Sequence, residues 1–242
     1  MPSTKKEVAL VTGANKGIGF EVARQLGAAG CTVLLGARNR TLGSEAAAKL
    51  AAEGVDVRFV AIDVTDLPTI SAAAESIAAD FGHLDILVNN AGINDPGDGT
   101  ALAAQLDAVE RVMKTNFLGA LAVTQAMLPL LCKSPAGRIV NVSSGLGSLT
   151  RNAEPNPSST NLIGYSASKA ALNMLTVQLA RLLRDTPIKV NSAAPGYTAT
   201  DLNGFRGTQT IPEGAAEAVR LALLPGDGPT GTYSERTGIV PW

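Results

Sequence analysis

A chain of 242 residues and 24.7 kDa can bury one large α/β core or two small ones, and needs neither disulfide staples nor a structural metal to do so. Lys plus Arg number 20 and Asp plus Glu 21, a net charge of -1 with no block of like charge, which argues against nucleic acid and anionic membranes as partners. Alanines number 38 and glycines 25, so backbones must approach one another closely.

Residues 1–7 are polar and lead straight into a first apolar run at 8–11. That start lacks a secretory leader's apolar stretch, and no run of about 18 apolar residues follows, so no membrane span is expected. Further runs rich in Val, Ile and Leu recur at 32–35, 55–61, 86–88, 138–142 and 188–190. None alternates cleanly, which is the pattern of strands buried on both faces of a parallel sheet. Helical stretches lie between them at 19–29, 42–53, 70–81, 106–131 and 165–183. The repeated β-α order predicts a doubly wound α/β fold.

Gly30, Gly54 and Gly82 each follow a helical stretch, where a left-handed cap residue belongs. Leu172, Leu175, Leu179 and Leu182 make one apolar stripe on a helix, and that helix is expected to pack on the sheet. No linker or repeat divides residues 1–242, which read as a single domain, with the irregular segments 148–162 and 196–211 as its functional loops. Cys31 and Cys132 lie far apart with no ligand-spaced partner, so reduced thiols and a cytoplasmic setting are expected. Cys132 reads as a buried small hydrophobe, His83 as a surface turn residue and Glu213 as a first-turn helix residue.

After the first strand, Thr12-Gly13-Ala14-Asn15-Lys16-Gly17-Ile18-Gly19 turns directly into a helical run. A strand, spaced glycines and a helix start make a phosphate cradle, in which glycine allows a left-handed turn and close contact with a pyrophosphate. The spacing is G-x-x-x-G-x-G, so an ordinary βα turn is the alternative. Nineteen residues after Gly19, where a carboxylate would grip the ribose hydroxyls of NAD, stand Arg38, Asn39 and Arg40. Arginine suits a 2'-phosphate, and Lys16 approaches the same place, so NADPH is expected over NADH. Two solvated surface cations are the competing explanation.

Thr12 to Gly19, Asp63-Val64, Asn89-Asn90-Ala91-Gly92, Asn116, Ser144, Tyr165-Ser166-Ala167-Ser168-Lys169 and Pro195-Gly196 with Thr200 occur in the order seen in the short-chain dehydrogenases/reductases, and the chain resembles that family over nearly its whole length. The resemblance implies a Rossmann fold with a mostly parallel seven-stranded sheet flanked by helices. It also implies that Gly13, Asn15, Lys16, Gly17, Ile18, Gly19, Arg38 and Asn39 hold the adenosine phosphates of NADP, that Asp63 accepts from the adenine amine, and that Val64, Asn90, Ala91 and Gly92 line the adenosine. Pro195, Gly196, Thr198 and Thr200 would cover the nicotinamide. Asp63 closing a strand-end turn, and the Asn89 to Gly92 run as a close-packed loop, are compatible readings.

Tyr165 and Lys169, four apart, share one helix face. An ammonium beside a phenol favours the phenolate and is expected to lower its pKa toward the operating range, fitting Tyr165 to carbonyl reduction as acid and base. By resemblance, Ser144 rather than Ser143 bonds the substrate oxygen. Lys169 contacts the nicotinamide ribose, and Asn116 holds a water at a helix distortion. A mere backbone bond by Asn116 is the other reading.

The 21 positions from Ser144 to Tyr165, the Asn15-Lys16 pair and Arg38 resemble the carbonyl reductase branch and imply NADPH-dependent reduction of small ketones or aldehydes. Alternatives are 3-oxoacyl-carrier-protein reduction and a non-catalytic NADP sensor. The resemblance implies a dimer or tetramer, with monomers also known among carbonyl reductases.

Overall fold

The computed structural model describes residues 6–155 and 161–242. Its elements run β1 (Val8–Val11), α1 (Gly17–Ala28), β2 (Thr32–Ala37), α2 (Arg40–Ala52), β3 (Val57–Ala61), α3 (Leu67–Phe81), β4 (Ile86–Asn89) and α4 (Leu106–Met113). A π-helical segment, Lys114–Gly119, joins α4 to α5 (Ala120–Leu131). There follow β5 (Arg138–Val142), α6 (Leu149–Ala153), α7 (Ile163–Leu182), β6 (Lys189–Ala194), α8 (Ile211–Ala222), β7 (Tyr233–Glu235) and β8 (Gly238–Ile239).

The strands form one sheet in the order β3-β2-β1-β4-β5-β6-β7-β8, parallel throughout except for the last pair. Eight strands replace the seven expected, because a turn after β7 folds Gly238 and Ile239 back along it. A two-residue strand offers no periodicity to read. Alternate residues of β1 serve opposite faces. Ala9 and Val11 join Val22 and Leu26 of α1, Leu50 of α2 and Ala218 of α8, whereas Val8 and Leu10 join Ile70 and Ile77 of α3 and Val123 and Met127 of α5. Two apolar faces are covered by two helix layers, which is why the strands read as unbroken apolar runs.

The chain winds outward from β1 to β3 and then crosses back to β4, so the loops after β1 and β4 leave the sheet side by side and open a crevice between them. Gly30, Gly54 and Gly82 do take left-handed φ after α1, α2 and α3.

Helix α7 packs on the sheet as expected, with Leu179 against the core that holds Leu10, Leu87, Ile139 and Val190, but the rest of its leucine stripe turns elsewhere. Leu172 and Leu175 pack with Ala120 and Phe117 of the neighbouring helical run, and Leu182 is exposed. Beside Leu179 the sheet side is polar. Thr176 bonds Asn141 (2.8 Å) and Ser192 (2.8 Å), and Asn141 bonds Asn89 (2.9 Å), a hydrogen-bonded row across β4, β5 and β6. Two further expectations fail. Cys132 is exposed, and His83 is buried with its ring against Asp85 (3.1 Å). Glu213 does close the first turn of α8, in a reciprocal cap with Thr210. Among the described residues no helix is long and apolar enough to cross a membrane.

Candidate active site

The crevice is a cleft of about 470 Å³ running from the glycine loop to α7. At the glycine loop, Gly13 has φ +63°, and a Cβ there would stand 2.8 Å from Ala91 Cα. A Cβ on Gly19 would stand 2.3 Å from Asn90 Nδ2 and 2.7 Å from Gly13 O, so any larger residue would push the loops apart. Thr12 Oγ1 accepts from the N–H groups of Asn90 and Ala91, both at 3.1 Å, and Asn90 Nδ2 donates to Thr12 O (2.9 Å). The side chain of Asn90 therefore stitches the crevice walls together. No side chain caps α1, whose first N–H groups open at the cleft.

The expected residues Gly13, Asn15, Lys16, Gly17, Ile18, Gly19, Arg38, Asp63, Val64, Asn90, Ala91, Gly92, Tyr165, Lys169, Pro195 and Thr200 all line this cleft. Five others do not: Asn39, Gly196, Thr198, Asn116 and Ser144, and of the serine pair it is Ser143 that lines the cleft. Asn39 faces α2, accepting from Leu42 N (3.0 Å) as its N-cap. Gly196 packs against Gln209, and Thr198 is buried with Oγ1 donating to Pro195 O (3.1 Å). Asp63 accepts from Thr65 N (2.9 Å) and Oγ1 (2.8 Å), so the strand-end turn is real and the residue also faces the cleft. Ile93, Asn94, Asp201 and Leu202 line the cleft as well and went unnoticed, since loop residues of mixed type carry no periodic signal. Asn156 to Thr160, including Pro157 of the expected loop, lie outside the described residues.

At the α7 end, Lys169 Nζ donates to Val142 O (2.8 Å) and stands 5.5 Å from the Tyr165 ring centroid. Ser144 follows the end of β5, and its Oγ accepts from Leu146 N (3.2 Å). Gly147 lets that serine turn sit on α7, since a Cβ would meet Lys169 Cβ at 2.8 Å. The Tyr233 hydroxyl donates to the Ser144 carbonyl from β7.

The expected lowering of Tyr165 is reversed. Burial pushes its phenol up to about 12, with a hydrogen bond to Ser144 opposing. Burial also pushes Lys169 down to about 8. Desolvation outweighs the ammonium, which is turned toward the Val142 carbonyl.

Asn116 sits in the π-helical segment, so the helix distortion is present. Its side chain is committed, with Oδ1 accepting from Ile93 N (2.8 Å) and Nδ2 donating to Ile93 O (3.0 Å) and Ser168 Oγ (3.0 Å). Ser168 in turn donates to Tyr165 O (2.7 Å). The backbone-bond reading thus holds for the side chain of Asn116, which clasps the loop after β4 to α7.

A dinucleotide-sized crevice at the sheet's crossover, with a tyrosine and a lysine on one helix face, defines a nucleotide-binding oxidoreductase architecture. The model of the short chain dehydrogenase family matches residues 7–210, and the chain belongs to that family. It is 34% identical to salutaridine reductase of Papaver bracteatum, over 95% of this chain and 94% of that protein. It is likewise 34% identical to carbonyl reductase (NADPH) 1 of Mus musculus, over 99% of this chain and 100% of that protein. The solved NADPH-bound carbonyl reductase from chicken fatty liver superposes with a TM-score of 0.86 at 30% identity, covering 98% of this chain and 99% of that one. The mouse alignment spans 285 positions against a chain of 242, so at least 43 of them face gaps here.

Proposed function

We propose that this chain is an NADPH-dependent reductase of small ketones and aldehydes, a one-domain cytoplasmic enzyme whose segments 148–162 and 196–211 enclose the substrate. The observation that carries the reading is one continuous cleft with Arg38, and no carboxylate, at the end of β2 and with Tyr165 beside Lys169 at the far end. Gly17 leaves the loop open toward the cleft, where a Cβ would meet only Thr200 Cγ2 at 3.9 Å, and this suits close approach of a pyrophosphate to the backbone. Free thiols at both cysteines accord with the cytoplasm.

A bound nicotinamide supplies the hydride that reduces the carbonyl carbon. The N–H groups at the start of α1 hold the pyrophosphate, and the Arg38 fork takes the 2'-phosphate. Asp63, Val64, Asn90 and Ala91 border the adenosine, while Pro195 and Thr200 cover the nicotinamide. Lys169 contacts the nicotinamide ribose. Ser144 Oγ donates to the substrate oxygen, and Tyr165 delivers its proton to that oxygen as negative charge develops there. Carbonyl, hydride and proton make the alcohol; in reverse, Tyr165 takes the proton back. A phenol kept protonated by burial is suited to the reducing direction.

The test is turnover of a panel of ketones and aldehydes with NADPH and with NADH, followed at the nicotinamide absorbance band, wild type beside Tyr165→Phe. NADPH-dependent turnover that disappears in the variant, with NADPH binding retained, supports the reading. Binding without turnover in the wild type would make the protein a nucleotide sensor. A free ketone compared with a carrier-bound ketoester separates the 3-oxoacyl alternative.

A further inference from the structure

Tyr165 occupies the third position of α7, in the turn whose N–H groups have no carbonyl one turn behind them. The local sequence offers no remedy, because Leu162 at the N-cap has no side-chain acceptor. Every one of these N–H groups is nevertheless taken, and by another part of the chain. Ile163 N donates to Gly99 O (2.8 Å), Gly164 N to Asp98 Oδ1 (2.9 Å) and Tyr165 N to Asp98 Oδ2 (2.8 Å). From Ser166 onward the helix bonds itself, Ser166 N to Leu162 O at 2.9 Å.

Asp98 lies 67 residues before Tyr165, in the loop between β4 and α4. Its Oδ1 also accepts from Gly99 N (2.9 Å), which holds the carboxylate to its own loop. A Cβ on Gly164 would stand 3.2 Å from Asp98 Oδ2 and 3.2 Å from Val109 Cα, so helix and loop touch at this point. The same loop lines the cleft at Ile93 and Asn94. The main chain of Tyr165 is thus held on its N–H side by Asp98 and on its carbonyl side by Ser168, itself bonded to Asn116.

We propose that Asp98 is a positioning residue for the reaction: its carboxylate caps α7 across the fold, fixes the main chain of Tyr165 against the cleft, and acts on catalysis only through Tyr165. The proposal rests on Tyr165 being the proton donor argued above. Lys169 lies one turn further on, inside the self-bonded helix, so cofactor contacts do not depend on the cap.

The test measures kcat, KM, NADPH Kd and Tm for Asp98→Ala. A displaced phenol lowers kcat by about tenfold or more while NADPH Kd stays within about twofold. Leu162→Ser, added to Asp98→Ala, supplies a hydroxyl acceptor at the N-cap for the same Gly164 and Tyr165 N–H groups, and is expected to restore kcat to within about threefold of wild type. Asp98→Ala with full kcat and only a lowered Tm overturns the proposal, as does a double variant that regains Tm but not kcat. Should Asp98→Ala not fold, Asp98→Leu, of similar size and with no acceptor, is read alone: a reduced kcat at unchanged NADPH Kd supports the proposal, and wild-type kcat overturns it. Tyr165→Phe run alongside separates the two failures. An active Tyr165→Phe removes the reaction itself, whereas an inactive one beside a fully active Asp98→Ala removes only the role of Asp98.

Discussion

Lys16 and Asp201 meet across the mouth of the cleft, Nζ to Oδ2 at 2.6 Å, joining the glycine loop to the turn after β6. The lysine expected to approach a 2'-phosphate is therefore held by a carboxylate that the nucleotide must outbid. Both side chains are largely exposed, so the contest is screened by salt. Asp201→Asn should tighten NADPH binding by about threefold at low ionic strength and by much less in high salt. Fluorescence titration at two salt concentrations checks this, and equal affinities at both would separate Lys16 from the phosphate.

Arg38 lines the cleft with its side chain exposed at the end of β2. Arg38→Asp replaces a phosphate fork with a ribose acceptor. It is expected to cost NADPH about tenfold or more in affinity and leave NADH bound as well or better. An unchanged ratio of the two dissociation constants would return Arg38 to being a solvated surface cation.

With Lys169 pushed down to about 8 and Tyr165 up to about 12, the phenol keeps its proton while the ammonium loses its own. The alkaline limb of kcat/KM for reduction is therefore expected near pH 8 and belongs to the lysine. Lys169→Arg, charged throughout, should remove the limb whatever it does to the rate. A limb unmoved in the variant assigns it elsewhere.

The same shift appears in stability with the opposite sense. Unfolded, Lys169 titrates near its ordinary 10.5, so between pH 8 and 10.5 the unfolded chain holds more protons than the folded one at this site. Its burial cost is complete below pH 8 and is relieved as pH rises through that window. Wild type should gain on Lys169→Met by on the order of 3 kcal/mol across it, measured by urea unfolding at both ends. A constant difference would mean the ammonium is not desolvated.

A Cβ on Gly92 would stand 3.4 Å from Asn116 Oδ1 and 3.5 Å from Lys169 Nζ. These are ordinary contacts, so Gly92→Ala should fold with nearly unchanged Tm. The methyl nevertheless occupies the gap between the two polar groups at the wall of the cleft. A kcat lowered by about tenfold is expected. Full activity would show that nothing functional uses that gap.

Much of the site was legible because its elements are local. Gly13 and Gly19 follow a strand and open a helix, and Tyr165 and Lys169 share a face by spacing alone, so each pairing depends on one short stretch of backbone. What stayed hidden depends on partners brought from afar. The helix α7 does pack on the sheet, but through Leu179 and Thr176, while Leu172 and Leu175 meet Ala120, since apolar periodicity does not say which neighbour each residue of a stripe will meet. Asp98 carried no signal at all, because an acceptor 67 residues from the helix it caps looks like any loop aspartate.

Residue spacing by itself therefore determined the winding of the sheet, the position of the crevice and the pairing of a phenol with an ammonium. Only the tertiary structure decided the proton affinities of that pair, the anchoring of the helix that carries it and the carboxylate set against Lys16. The reason is that desolvation and hydrogen-bond satisfaction are properties of an environment assembled from distant segments, whereas helix and strand periods belong to the chain itself.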